Sequence, residues 1–217
     1  MVSLITDGSA AAAAHLLLAH GAGAAMTSPF MERIARLLAE RGLAVSRFEF
    51  VYMAGRRQDG KRRPPPRAER LVDEYRNAVT AVSEKLRPET KLLIGGKSMG
   101  GRVASLLADE LFGEGRIGGL VCLGYPFHPP GKPEALRTAH LEQLRCPALI
   151  VQGERDPFGD RSEVEALRLS PAIRFAWAGD GDHDLGPRGG SGFTRAGNLA
   201  EAADAVATFA QQLPTHA

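Results

Sequence analysis

Short apolar runs alternate along this chain with longer segments in which apolar residues recur every three or four positions. Six of the runs predict strands. They are rich in leucine, isoleucine and valine with few polar interruptions, as expected for strands that are covered on both faces. The predicted strands are residues 15–19, 44–50, 92–95, 119–124, 148–152 and 173–177.

The segments between these runs predict amphipathic helices. In the first of them, Ser28 is a suitable N-cap, Pro29 fits the first helical position and Gly42 lies just past the end. Three further apolar stripes fall within residues 71–86, 101–111 and 199–210. Regular alternation of strand and helix predicts a doubly wound, mostly parallel sheet of about six or seven strands with helices on both faces. We expect one domain over residues 1–217.

Composition adds few constraints to this picture. The 217 residues carry a formal net charge of +2 and are 44% hydrophobic, so no global attraction to nucleic acid or to a membrane is expected. Cys122 and Cys146 lie in or beside predicted strands, which favours buried free thiols over a disulfide. The apolar run at residues 10–19 has no basic segment before it, so we interpret it as a core strand and expect a soluble, cytoplasmic protein.

One segment is compositionally biased. Residues 56–67 hold six lysines and arginines around three consecutive prolines, 64–66, and the prolines predict an extended loop rather than a helix. Charge runs are usually solvated faces, which is the favoured interpretation. The alternative is a surface that binds an anionic substrate group or an acidic partner.

The strongest chemical signal is the pentapeptide Gly-Lys-Ser-Met-Gly at residues 96–100. It follows a predicted strand and precedes a predicted helix, and a strand, a tight turn with serine at its tip and a helix together form a nucleophile elbow. The turn requires a strained serine backbone, and flanking side chains would collide with the neighbouring elements. Ser98 is therefore the candidate nucleophile.

A serine hydroxyl needs a base to accept its proton and an acid to orient that base. In this arrangement the order along the chain is serine, acid, histidine, each in a loop after a strand. Asp156 and His183 fulfil that order, and parallel strands would direct both toward Ser98. Glu154 is the alternative acid and His128 the alternative base.

Three further aspartates, Asp180, Asp182 and Asp184, crowd His183 and raise the alternative of a metal site. Consecutive loop residues rarely converge on one ion without further ligands, so we expect a solvated acidic turn. The proposed chemistry needs no metal and no organic cofactor.

Acyl transfer also needs donors for the negatively charged oxygen that develops on the substrate carbonyl. The Met99 N–H, directly after the nucleophile, is one candidate. The second is expected from the loop at residues 20–24, His-Gly-Ala-Gly-Ala, where Ala22 is the best choice. An ordinary glycine turn is the alternative for that loop.

Taken together, these segments resemble the α/β-hydrolase superfamily, and within it the small lidless branch near dienelactone hydrolases. Residues 95–102 and 125–133 are similar to bacterial hydrolases related to the hydrolase-like domain of a nonspecific-lethal chromatin complex subunit. The resemblance implies esterase-like activity. Dienelactone hydrolases proper use a cysteine nucleophile, and because this chain has Ser98, that particular activity is not implied.

A further helix is predicted over residues 139–144. The segment before it, residues 125–137, is too short for a cap domain, so we expect an open site. Met26, Tyr125 and Phe127 are candidate pocket walls, with ordinary core packing as the alternative, and Lys97 is a candidate substrate contact. The predicted function is serine hydrolysis of a small-molecule carboxylic ester or related acyl bond, with an anionic substrate group left open. The alternatives are a non-catalytic interaction module, an acyltransferase or a peptidase.

Overall fold

Seven strands form one sheet in the computed structural model, which describes residues 2–61 and 64–214. The strands are β1 (Leu4–Asp7), β2 (Ala14–Ala19), β3 (Ala44–Phe48), β4 (Lys91–Lys97), β5 (Gly119–Leu123), β6 (Ala148–Gly153) and β7 (Ile173–Ala178). Their order in the sheet is β1-β3-β2-β4-β5-β6-β7. β1 is antiparallel to β3 and the other neighbours are parallel, so the carboxyl ends of β2 to β7 meet at one edge.

Helices cover both faces of this sheet, which confirms the predicted fold class. They are α1 (Pro29–Glu40), α2 (Val51–Asp59), α3 (Val72–Ser83), α4 (Met99–Gly113), α5 (Arg161–Glu165) and α6 (Arg195–Gln212), with 3₁₀ turns at Ala68–Leu71 and Ala139–Leu141. The predicted start of α1 is confirmed, because Ser28 is its N-cap and Pro29 its first residue. Gly42, just beyond its end, has a positive φ of 85°.

The two faces bury separate apolar clusters, and β2 shows how the sequence supplies both. Leu16 and Leu18 pack under α1 and α6, whereas Leu17 and Ala19 pack under α3 and α4. This division follows from the two-residue period of a strand, whose alternate side chains point to opposite faces. All four residues are completely buried, and each buried leucine contributes on the order of 1.5–3 kcal/mol to stability.

The biased segment differs from its prediction. The strand predicted over residues 44–50 ends at Phe48, and α2 follows directly, so residues 56–59 are helical rather than extended. Gly60, with φ 68°, ends α2 four residues before the prolines, which therefore act only on the segment that follows. Arg62 and Arg63 of this predicted loop lie outside the described residues.

Other differences concern short elements. The periodicity does not predict β1, a four-residue edge strand, or the five-residue α5. A helix predicted over residues 139–144 is only a 3₁₀ turn. The link from β5 to β6 carries that turn and no cap domain.

The expectations from composition have mixed outcomes. Cys122 and Cys146 are buried free thiols, as predicted. Among the helices of the described ranges, none combines the length and the apolar character needed to cross a membrane.

Candidate active site

Ser98 lies at the tip of a strained turn between β4 and α4. Its φ of 51° and ψ of −115° fall in a region that non-glycine residues rarely adopt. Its amide donates to the Leu123 carbonyl at 2.9 Å, and its carbonyl accepts from the Arg102 amide at 3.0 Å. Strain of this kind costs about 1–3 kcal/mol and persists only where the surroundings impose it.

The glycines on either side make this turn sterically feasible. A Cβ on Gly96 would lie 2.6 Å from the Ala19 carbonyl oxygen, and one on Gly100 would lie 2.5 Å from the same atom. Because the colliding atom belongs to the backbone of a central strand, it has no room to move aside. The glycine–serine–glycine spacing is thus required by close packing between β2 and the elbow.

His183 joins the serine to a buried carboxylate. Its Nε2 lies 2.9 Å from Ser98 Oγ, and its Nδ1 lies 2.8 Å from Asp156 Oδ2. A carboxylate only accepts hydrogen bonds, so Nδ1 carries the proton and Nε2 is free to accept the Ser98 hydroxyl proton. The structure therefore brings together the three residues that the order along the chain selected.

The Asp156 carboxylate is completely buried and receives two further hydrogen bonds. The Phe158 amide donates to Oδ1 at 2.9 Å, and the side-chain amide of Gln152 donates to Oδ2 at 3.0 Å. The Phe158 ring also packs against the His183 ring, with centroids 4.2 Å apart. Gln152 and Phe158 were not predicted from the sequence.

The alternative base and acid have other partners. His128 contacts the Pro129 carbonyl and Glu163 Oε2, at 2.9 and 3.2 Å. Glu154 accepts from the Asp180 amide through one oxygen and from Arg161 through the other. Neither group contacts the serine–histidine pair.

The ammonium group of Lys97, a predicted substrate contact, has partners within the protein. Its Nζ donates to the His183 carbonyl at 2.8 Å and lies 3.2 Å from Asp184 Oδ1, and burial lowers the pKa of its amine. A Cβ on Gly124 would lie 2.8 Å from the same His183 carbonyl oxygen, so the bare Gly124 backbone makes room for this contact. Lys97 borders the cavity, but its ammonium group supports the loop that carries the histidine.

The three aspartates around His183 point to different partners. Hydrogen bonds from Arg188 lower the pKa of Asp180 to about 2. Asp182 Oδ1 accepts from the Asp184 and Gly186 amides at 2.9 and 2.8 Å. Within residues 2–61 and 64–214, no three His, Cys, Asp or Glu side chains are grouped as metal ligands would be.

The glycine-rich loop after β2 is held by a buried histidine. Phe50 N–H donates to His20 Nε2 at 3.2 Å, so the proton resides on Nδ1, which donates to the Gly21 carbonyl at 2.6 Å. Burial lowers the pKa of His20, which favours this neutral form. Tyr52 OH donates to the Ala22 carbonyl at 3.1 Å and secures the loop from its other side.

A cavity of about 470 Å³ opens beside Ser98 and His183. Ala22 belongs to its wall, and Met99, the other predicted oxyanion donor, is the first residue of α4. The cavity is lined by residues 21–24 after β2 and residues 28–31 at the start of α1. Phe158, Asp184 and Arg195 line it as well. Phe30 and Phe158 contribute aromatic surface to this cavity, whereas Met31 is only 1% exposed.

The predicted pocket walls Met26, Tyr125 and Phe127 are corrected to core residues. Tyr125 and Phe127 are completely buried in the cluster under α4, with ring centroids 4.9 Å apart, and the Tyr125 hydroxyl donates to the Arg137 carbonyl. Met26 is 3% exposed. The chain turns at Gly124, with φ 64°, and both aromatic rings then pack into the core rather than toward the cavity.

Comparison with known proteins agrees with this architecture. Residues 12–211 match the model of a family described as an alpha/beta hydrolase domain. A dienelactone hydrolase from Anabaena variabilis superposes with a TM-score of 0.73 at 21% identity, covering 98% of this chain and 92% of that one.

Two further solved structures share the fold. A serine hydrolase without a lid from Xanthomonas campestris gives a TM-score of 0.67 at 17% identity, over 100% of this chain and 91% of that one. An alpha-beta serine hydrolase homologue from Coxiella burnetii gives 0.70 at 17% identity, over 95% and 89%. With the family match extending from β2 to α6, the chain belongs to the alpha/beta hydrolase family.

Proposed function

We propose that this protein is a serine hydrolase that cleaves a carboxylic ester or a related acyl bond through an acyl-enzyme. One observation carries the proposal: the continuous contact from Ser98 Oγ through His183 to Asp156, at 2.9 and 2.8 Å, at the mouth of an open cavity. A fold alone would not suffice, since the same architecture supports many activities.

In the first half-reaction Ser98 Oγ attacks the substrate carbonyl carbon while its proton passes to His183 Nε2. The carbonyl electron pair moves onto oxygen, and a tetrahedral intermediate forms. When that intermediate collapses, the bond to the alcohol oxygen breaks and Nε2 returns its proton to the departing alcohol. Asp156 keeps the ring oriented and stabilises the transient imidazolium.

In the second half-reaction water attacks the acyl-enzyme, with His183 again as the base. The carboxylic acid leaves and Ser98 recovers its proton, so the net reaction consumes one ester and one water. We assign the Met99 and Ala22 amides to the oxyanion, where one donor typically contributes about 100- to 1000-fold in rate.

The cavity supports a small-molecule substrate with an apolar or aryl portion. Phe30 and Phe158 offer aromatic surface beside the nucleophile, and none of the described residues in 56–67 lines this wall. Similar folds include Est1E from Butyrivibrio proteoclasticus with ferulic acid bound, at 15% identity and a TM-score of 0.67, and the esterase domain of a Rhodothermus marinus protein, at 16% identity and a TM-score of 0.66. This likeness favours esters among the acyl bonds that the machinery suits.

The test combines covalent labelling with turnover. A fluorophosphonate probe should label the wild type at Ser98, and a panel of short-chain aryl esters should be hydrolysed. Ser98→Ala should lose both, whereas Ser46→Ala, which removes a serine that also contacts a histidine, should keep both. A folded wild type that is neither labelled nor active on the panel would overturn the proposal in favour of a non-catalytic module.

A further inference from the structure

Gln152 is a completely buried polar residue in β6, four positions before the carboxylate of the site. Its Oε1 accepts from the Tyr125 amide at 2.7 Å. Because a backbone N–H can only donate, this contact determines which end of the side chain is oxygen and which is nitrogen. The Nε2 end therefore faces the loop that carries Asp156 and Gly159.

That nitrogen lies near three acceptors. They are Asp156 Oδ2 at 3.0 Å, the Gly159 carbonyl at 3.1 Å and the Tyr125 carbonyl at 3.2 Å. The amide nitrogen has two hydrogens for these three acceptors, so one hydrogen is shared between two of the acceptors. The Asp156 oxygen is the same one that accepts from His183 Nδ1.

We propose that Gln152 is a positioning residue for the hydrolytic reaction: it acts through Asp156 and sets the plane in which that carboxylate meets His183. The inference rests on the proposed function. The Phe158 amide holds one carboxylate oxygen and Gln152 holds the other, so rotation of the carboxyl group would break a hydrogen bond at each end.

The neutrality of the donor matters for the chemistry. An arginine or lysine at this place would pair with the carboxylate and offset the charge that stabilises the imidazolium. An amide orients the carboxylate and leaves its full negative charge to act on His183. A buried amide is thus better suited to this position than a buried cation.

A purely structural role is the competing explanation, because Gln152 also ties the Tyr125 turn to the loop at Gly159. The two explanations differ in how Gln152 and Asp156 couple. If Gln152 acts through the carboxylate, its loss should matter only while a working carboxylate is present. If Gln152 supports only the fold, its replacement should lower kcat by the same factor whether residue 156 is aspartate or asparagine.

The experiment is a double-mutant cycle on the full chain, measured as the rate of fluorophosphonate labelling and as turnover of a short-chain aryl ester. Gln152→Met should lower kcat about 10-fold with KM changed less than about 2-fold, as expected for one charge-assisted hydrogen bond. In an Asp156→Asn background the further loss should stay under about 2-fold. An unchanged kcat, or equal losses in both backgrounds, would overturn the inference.

Two companion variants keep the test decisive. Gln152→Glu retains an oxygen for the Tyr125 amide, but its carboxyl group can donate to Asp156 only while it is protonated. Relative to the wild type, its kcat should therefore fall as the pH rises, and a constant ratio of the two kcat values across the pH range would refute the role. Ser170→Ala, which removes a buried hydrogen bond to the Leu144 carbonyl, should lower thermal stability and leave kcat unchanged. An inactive wild type would instead refute the proposed function, so the two failures are distinguishable.

Discussion

Among the serine–histidine contacts of the described residues, two lie at opposite ends of the same sheet and have nearly equal lengths. Ser98 Oγ lies 2.9 Å from His183 Nε2, and Ser46 Oγ lies 2.8 Å from His15 Nε2. By distance alone the two pairs cannot be told apart. Their surroundings differ in every respect that nucleophilic catalysis requires.

The first difference is position. Ser98 follows the carboxyl end of β4, whereas His15 lies beside Leu92 near the amino end of the same strand. From Leu92 to Lys97, the last residue of β4, the strand rises by five residues, or about 17 Å at roughly 3.3 Å per residue. Loops converge at the carboxyl edge and bring the Asp156 carboxylate to His183.

The second difference is electrostatic. His183 faces the Asp156 carboxylate, whereas Ser46, the partner of His15, also contacts the Thr6 hydroxyl at 2.8 Å. No carboxylate contacts His15 among the residues that the structure describes, and burial lowers its pKa to about 4. A histidine that resists protonation so strongly is a poor base, and we interpret the Ser46 pair as a structural contact.

The largest expected effect comes from deleting the two serines in turn. Ser98→Ala should lower kcat on the order of 10⁵-fold or more, because no other group at the site can form the acyl-enzyme. Ser46→Ala should leave kcat within about 2-fold of wild type, since only local packing changes. Steady-state hydrolysis of an aryl ester measures both, and a comparable loss in the two variants would contradict the assignment.

The acid provides the second test. Asp156→Asn should lower kcat about 10⁴-fold, because an amide in place of the carboxylate favours the wrong ring tautomer of His183. Glu154→Gln is the matched control: it neutralises the alternative acid, whose oxygens bind Asp180 N–H and Arg161. Steady-state ester hydrolysis at high enzyme concentration measures kcat for both variants. A greater loss of kcat in Glu154→Gln would assign the role of the acid to Glu154.

Much of this site follows from the sequence because its signals are local. The elbow needs glycine on both sides of Ser98, and the acid and the base each follow a recognisable apolar strand. Parallel strands share one carboxyl edge, so order along the chain was enough to favour His183 over His128 as the base. It did not separate Asp156 from Glu154, which both follow β6, and their partners in the structure distinguish them.

The remaining parts depend on direction and packing, which local patterns do not encode. Tyr125 follows a glycine with φ 64°, and its side chain is carried into the core rather than the cavity. From the sequence alone, Gln152 is indistinguishable from an ordinary residue of a buried strand, and only the structure shows its partners. The start of residues 56–67 is helical because Gly60, not the later prolines, ends α2.

A smaller loss of turnover is expected from Lys97→Met. The variant removes the donor to the His183 carbonyl and leaves Asp184 without its cation, so the histidine loop should loosen. We expect kcat to fall about 10-fold, the equivalent of roughly 1.4 kcal/mol, with little change in KM. Lys85→Met, at an exposed residue, is the control. A rise in KM with kcat unchanged would instead favour a direct substrate contact.

No effect on turnover is expected from His15→Gln. This variant tests whether the His15–Ser46 contact contributes to stability rather than to catalysis. The pKa of His15 is lowered from 6.5 to about 4 by burial, so between these values the unfolded chain binds more protons than the native one. The free energy of unfolding should therefore fall as pH decreases from 6.5 toward 4, by at most about 1.4 kcal/mol per pH unit from this residue. Urea unfolding at several pH values should give a shallower dependence for His15→Gln than for the wild type, with kcat unchanged at pH 7. An identical slope would mean that His15 titrates as in the unfolded chain, and lost turnover would mean that the two edges of the sheet are not independent.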